Sequence, residues 1–203
     1  MRRSANLVDW QVELPSGKYA GGFTMRMMFA GAREQWGLLP PVPAPEEKSM
    51  SSRMPPDSSV RPISAADTIA VRWPILRPGF PREAAVFDGD DAPGTLHFGA
   101  FAGDRLAGVA SIYLASFPAQ PDVTPTFQLR GMATLPEVRD AGFGEALLGA
   151  CVAAAREKGA ALIWCNARTG AAKFYAKNGW QIVGDEFDIP TVGPHFRMSR
   201  ALA

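Results

Sequence analysis

Residues 138–159 read VRDAGFGEALLGACVAAAREKG, and this stretch decides the fold. Arg139, Gly142 and Gly144 stand at R-x-x-G-x-G spacing, directly ahead of a small-residue helical pattern. Ala146, Leu147, Ala150, Cys151 and Ala154 recur at helical intervals and predict one apolar stripe. Glu145, Arg156, Glu157 and Lys158 fall largely off that stripe, and Gly159 follows as a stop. A helix start carries unpaired backbone N–H groups and the positive end of the helix dipole, so a glycine turn feeding a helix is a ready anion site. Glycine at 142 and 144 removes the Cβ atoms that would hold a phosphate away, and Arg139 adds a cation. The same spacing also suits a plain strand-to-helix connection whose glycines serve close packing. It is not a dinucleotide fingerprint, because the third glycine is missing, nor a phosphate loop, because no Gly-Lys-Ser/Thr follows.

Working outward, residues 126–135 (TFQLRGMATL) predict a strand that stops at Pro136, and ALIWCNA after the helix predicts a short buried parallel strand. TGAAKFYAKNG then predicts a short helix closed by Gly179, with WQIVGDEFDI and HFRMSRAL as two further strands. Upstream, residues 96–115 predict a hairpin around the turn AGDR, and TIAVRWPIL at 68–76 alternates like a strand. Between them, FDGDDAPG reads as an exposed acidic turn. The expected fold is α/β in the layered α+β sense: a mixed, mostly antiparallel central sheet flanked by helices. The aromatics Trp73, Phe98, Phe101, Tyr113, Phe117, Phe127, Trp164 and Trp180 are read as core.

The 203 residues suffice for one sizeable core. A formal net charge of +1 argues against a general nucleic-acid or anionic-membrane binder, since such proteins carry a basic excess. Two cysteines, Cys151 and Cys165, make neither a disulfide framework nor metal-ligand spacing and read as buried hydrophobes in a reducing compartment. No 18-residue apolar run occurs, and MRRSANLVDW is a poor signal peptide, so a cytoplasmic location is expected. Residues 1–60 hold a Pro/Ser-rich run and are expected to form a poorly ordered extension, with at most a short helix over 25–36. Met50 and Met54 lie just before the patterned region and offer alternative starts. Residues 61–203 are the expected domain.

Two segments carry a resemblance to a known family. RGMATLPEVRDAGFGEALL is similar to the acyl-CoA pyrophosphate motif of the GCN5-related N-acetyltransferases, and NARTGAAKFYAKNGW to their second cofactor motif. The hairpin LHFGAFAGDRLAGVASI and the chain's last strands are also similar to bacterial members, so the resemblance spans roughly residues 62–202. It implies the acyl-CoA N-acyltransferase fold and acetyl-CoA as co-substrate, without a metal. By this resemblance the backbone of Met132, Ala133 and Thr134 would pair with the pantetheine arm. Arg139, Asp140, Ala141, Gly142, Phe143 and Gly144 would wrap the pyrophosphate, with Glu145 opening the helix. Asn166 and Phe174 would steady the rest of the cofactor.

Tyr175 matches the family tyrosine that protonates the departing thiolate, a task that suits a phenol. A backbone N–H near Met132 or Ala133 would stabilise the carbonyl oxygen. The base is not marked by any motif: His195 is the leading candidate and His97 the second, because imidazole titrates nearest neutrality. Glu137 and Asp140 are expected to face solvent. The implied reaction acetylates a primary amine of a small molecule. A protein lysine or N-terminus is the alternative acceptor, and a non-catalytic acyl-CoA-binding module the alternative of a different class. Tyr175 favours catalysis, since a binding module needs no acid beside the sulfur. A homodimer through sheet edges is common among such proteins.

Overall fold

A computed structural model describes residues 54–202. The short helix expected at 25–36 and most of the Pro/Ser-rich extension lie outside the described residues. The chain runs β1 (Ser58–Pro62), α1 (Ala65–Leu76), β2 (Leu96–Ala102), β3 (Arg105–Leu114), β4 (Thr126–Thr134), α2 (Phe143–Glu157) and β5 (Leu162–Arg168). It closes with α3 (Ala172–Lys177), β6 (Gln181–Ile182), β7 (Phe187–Ile189) and β8 (Gly193–Ala201). The strands form one sheet in the order β1-β2-β3-β4-β5-β8-β6, with β7 also on β8. Among the described residues only the β4–β5 pair is parallel, and the other pairings are antiparallel. A parallel pair needs a crossover, and α2 supplies it.

Helices cover both faces of the sheet because successive residues of β3 point to opposite sides. Val109 packs with Val71 of α1 and Ala133 of β4. Ala110 and Ile112 pack instead into the larger core around Leu147, Leu148 and Cys151 of α2. Complete burial of Leu147 and Leu148 contributes roughly 1.5–3 kcal/mol each.

The segment 68–76, expected as a strand, is helical. The alternation of TIAVRWPIL is overridden by a start signal just upstream: Ser64 caps the Asp67 amide, and the Asp67 carboxylate accepts the Ser64 amide at 2.9 Å. Thr68, Val71 and Arg72 are buried at helical spacing. Trp73 therefore faces outward, 41% exposed, with its indole N–H donating to the Phe80 carbonyl rather than joining the core.

The stripe of α2 is also rotated from the expected one. Phe143, Leu147, Leu148, Cys151, Val152 and Ala155 are its buried residues, because the bulkier side chains take the core and Ala146, Ala150 and Ala154 flank it. WQIVGDEFDI is two short strands instead of one, broken at Gly184 with φ 80°.

Candidate active site

The site begins where the sheet comes apart. β4 and β5 pair only along Thr126–Leu129 and Leu162–Cys165. Beyond that, β4 stays with β3 and β5 with β8, so a V-shaped cleft opens between them, and among the described residues one edge of β4 has no strand neighbour. A bulge sharpens the divergence: the β3–β4 register shifts between Val109 and Ser111, opposite Gly131 at φ 60°. Gly131 is required twice, by its left-handed backbone and by space, since an added Cβ would lie 2.5 Å from Arg72 Nε. Gly131→Ala is accordingly expected to cost about 1–3 kcal/mol. That would appear as a lower urea midpoint at unchanged slope.

Two cavities occupy the cleft and its mouth. The first, about 590 Å³, is lined by Arg130, Gly131 and Met132 of β4, Asn166 of β5, Tyr175 of α3 and His195 of β8, together with the end of α1. The second, about 430 Å³, lies at the start of α2 and is lined by Thr134, Arg139, Asp140, Gly142, Gly144, Glu145, Phe174 and Lys177. Arg139 borders both.

The expected site residues divide between these cavities and the core. Met132, Asn166, Tyr175 and His195 meet at the first cavity; Thr134, Asp140, Gly142, Gly144, Glu145 and Phe174 meet at the second. Ala133 and Phe143 are buried in the packing, and Ala141 packs against the main core, so these three offer backbone only. Gly142 sits at φ 84° as the N-cap of α2 without a side-chain cap, which leaves the first amides of a 15-residue helix facing the second cavity. Asp140 adopts φ 62°, a conformation aspartate tolerates, and is exposed as expected. Glu137 is exposed too and pairs with Arg105. Lys177, not anticipated, pairs with Glu145 at 3.2 Å and adds a second cation beside Arg139.

Tyr175 is buried between Phe174 and Trp180, both edge-on at 5.3 Å. Among the described residues its hydroxyl reaches only the Met132 thioether sulfur, at 3.7 Å. Burial raises its pKa well above the ordinary phenol value, with the buried thiols of Cys165 and Cys151 adding to the rise, so it stays protonated. Those two cysteines are free and buried, and burial pushes their thiols up as well. His195 Nδ1 lies 2.7 Å from the Gly193 carbonyl oxygen. A carbonyl can only accept, so Nδ1 carries the proton, and in the neutral imidazole Nε2 is the nitrogen with the lone pair.

His97, the second base candidate, is committed elsewhere. Nε2 donates to the Asp90 carbonyl at 2.9 Å, and Nδ1 accepts from the Ser111 hydroxyl at 2.6 Å. Both belong to a buried network that sequence reading missed. Arg72 Nη1 reaches both carboxylate oxygens of Asp90, at 3.0 and 2.8 Å, and Nη2 reaches Ser111 at 2.7 Å and Tyr113 at 3.2 Å. The Tyr113 hydroxyl donates to Asp90. Asp90, read from sequence as part of an exposed turn, is therefore 6% exposed and anchors the loop before β2. Burial raises its carboxyl pKa, but the hydrogen bonds from Arg72, Tyr113 and the Phe87 amide, with the Arg72 charge, outweigh that and hold it below the usual range. Burial and the Asp90 hydrogen bond together push Tyr113 up to about 12, with the Arg72 charge opposing.

The residues present fit an acyl-CoA. The Asn166 Oδ1 is buried with no hydrogen-bond partner among the described residues, an acceptor suited to an amide N–H of a pantetheine-like arm. The free edge of β4 and the uncapped start of α2 lie on either side of Arg139. Among the described residues no group of three metal-ligating side chains occurs, and no helix is long and apolar enough to cross a membrane.

The profile of the acetyltransferase (GNAT) family matches residues 65–180. YitI of Bacillus subtilis (strain 168), an uncharacterised N-acetyltransferase, is 38% identical over 143 residues, covering 70% of this chain and 95% of that protein. The ribosomal-protein-S18-alanine N-acetyltransferase of Escherichia coli superposes with a TM-score of 0.58 at 15% identity, over 72% of this chain and 94% of that one. An acyl-CoA N-acyltransferase from Pseudomonas aeruginosa does so with a TM-score of 0.56 at 16% identity, over 71% and 99%. These two structures share the fold.

Proposed function

Because the chain belongs to the acetyltransferase (GNAT) family, we propose that it moves an acetyl group from acetyl-CoA to a primary amine of a small molecule by direct attack, with Tyr175 as the general acid. The observation that carries this reading is the continuity of the cleft. Arg139 borders both the cavity at the uncapped α2 start and the cavity that holds Tyr175 and His195, so an anion site and an acid–base pair lie along one groove.

Acetyl-CoA supplies an activated acyl carbon and a thiolate leaving group. The chain's residues do the rest. The amides opening α2, with Arg139 and Lys177, hold the pyrophosphate. The unpaired edge of β4 beyond Gly131 takes the pantetheine arm as an added strand would, and Asn166 Oδ1 accepts its N–H. A backbone N–H of that edge steadies the carbonyl oxygen. His195 Nε2 takes a proton from the acceptor ammonium, directly or through water, so that the neutral amine forms the new C–N bond. Tyr175, kept protonated by burial, gives its proton to the sulfur as the C–S bond breaks, and the second proton shed by the nitrogen on forming the amide returns, through water, to the phenol oxygen.

An assay of thiol release with a panel of small primary amines tests the reading. Release that requires an added amine and yields one N-acetylated product per thiol is expected. Amine-independent hydrolysis alone would overturn it, and turnover confined to peptides would replace the small-molecule acceptor with a protein one. His195→Gln is expected to lower kcat/KM roughly a hundredfold at neutral pH, the lower end of the range for a positioned general base. Turnover equal to wild type at neutral pH would remove His195 from the base role.

A further inference from the structure

The first cavity carries an excess of one charge. Of its 17 lining residues four are arginines, Arg77, Arg130, Arg139 and Arg168, and none is Asp or Glu. Arg139 also borders the second cavity, which the proposed function gives to the pyrophosphate. The other three reach the same cavity from separate elements: Arg77 caps α1, Arg130 precedes the bulge of β4, and Arg168 ends β5 in register with His195. No carboxylate of the described residues pairs with any of the three.

Two of them are held in place without being neutralised. The guanidinium of Arg77 lies 5.1 Å from the centre of the Phe87 ring, and that of Arg130 lies 5.5 Å from Phe87 and 4.8 Å from Tyr113. Arg77 donates to the Leu76 carbonyl at 2.9 Å and Arg130 to the Asp88 carbonyl at 3.0 Å. Burial first, and then repulsion by Arg168, Arg130 and Arg72, lowers the Arg77 pKa. Gathering like charges around a half-enclosed cavity is costly unless an anion enters it. Three guanidinium forks, two of them held in place, beside His195 and Tyr175 suit a carboxylate or phosphate bound in two-pronged fashion.

We propose that the acceptor is an anionic amine, a small molecule carrying a carboxylate or phosphate near its amino group, whose anion is held by Arg77, Arg130 and Arg168 while the amine faces His195. This rests on the acetyl-transfer reading and names its substrate class. A cationic or neutral amine would leave the three guanidiniums without a counter-charge, so the same residues reject polyamines.

The test compares matched acceptors on the full chain: amino acids against their carboxamides, and phosphoethanolamine against ethanolamine, corrected for the fraction of free amine. The anionic member of at least one pair is expected to win by about 10- to 100-fold in kcat/KM, the range for a charge-assisted hydrogen bond. The preference should fall toward unity in Arg77→Gln and Arg130→Gln and return in part in Arg130→Lys. Neutral members turning over as well as anionic ones, or a preference that survives both glutamine variants, would overturn the proposal.

Calorimetric binding of the N-acetylated carboxylates and phosphates and of their neutral counterparts needs no turnover. Arginine-dependent binding of the anionic set supports the site even if no amine reacts, an outcome that would sink the acetyl-transfer reading alone. Absence of that binding overturns the anion site whatever the turnover.

Discussion

Tyr175→Phe is expected to lower kcat by roughly a thousandfold, within the range for loss of a positioned acid, while acetyl-CoA affinity and thermal stability hold. The stability half of this result is what separates a working hydroxyl from a structural one. A buried hydroxyl ordinarily finds an oxygen or nitrogen partner, because leaving it without one is costly. Here, among the described residues, a thioether sulfur at 3.7 Å is the hydroxyl's one hydrogen-bond partner, inside an aromatic cluster of Phe174 and Trp180. Removing one oxygen therefore costs the fold little, and the midpoint should stay within a degree or two. Burial also fixes the sign of the pH effect. The raised Tyr175 pKa keeps the acid protonated through neutral and moderately alkaline pH, so no alkaline fall in kcat below pH ~10, the free phenol value, should arise from this group. Equal turnover in both proteins would remove the acid role; a collapsed midpoint would make the tyrosine structural.

Asp90→Ala is expected to destabilise the domain by about 3–5 kcal/mol, the cost of leaving one member of a buried ion pair alone. Its partner Arg72 is fully buried, so the substitution leaves a buried charge without its carboxylate. For a domain of this size the midpoint should fall by about 6–20 °C. The same pair sets an acid limit on stability. The Asp90 pKa is depressed in the folded state, so its contribution is fully present above about pH 4, the unfolded aspartate value, and is lost as pH falls through the lower folded value. Thermal scans between pH 2 and 7 should show wild type losing stability in that window, while Asp90→Ala loses less. Parallel curves would show that the pair carries no such linkage.

What could be read from sequence alone follows from how local each signal is. The strand, glycine turn and helix around residues 126–159 are contiguous, so periodicity and the turn residues predict them together. The same holds for the short helix carrying Tyr175, bounded by Gly170 and Gly179. Residues 68–76 misled because an alternating apolar pattern fits a strand, while the deciding signal, Ser64 with Asp67, lies outside the alternation. The Arg72–Asp90 pair joins residues 18 apart through Ser111 and Tyr113 on β3, and no local pattern encodes it. An aspartate in FDGDDAPG looks like a turn residue until the sheet places an arginine behind it. The three cavity arginines are hidden for the same reason: they come from α1, β4 and β5, and only the opening of the sheet brings them to one place.

The central claim is that acetyl-CoA lies in the cleft between β4 and β5 with its pyrophosphate on the α2 start. Amide hydrogen exchange, with and without saturating acetyl-CoA, tests it most directly. Slowed exchange confined to residues 130–134 on the free edge of β4 and to 143–145 at the helix start is the predicted result. Binding of acetyl-CoA with those amides exchanging as fast as in the free protein would contradict it.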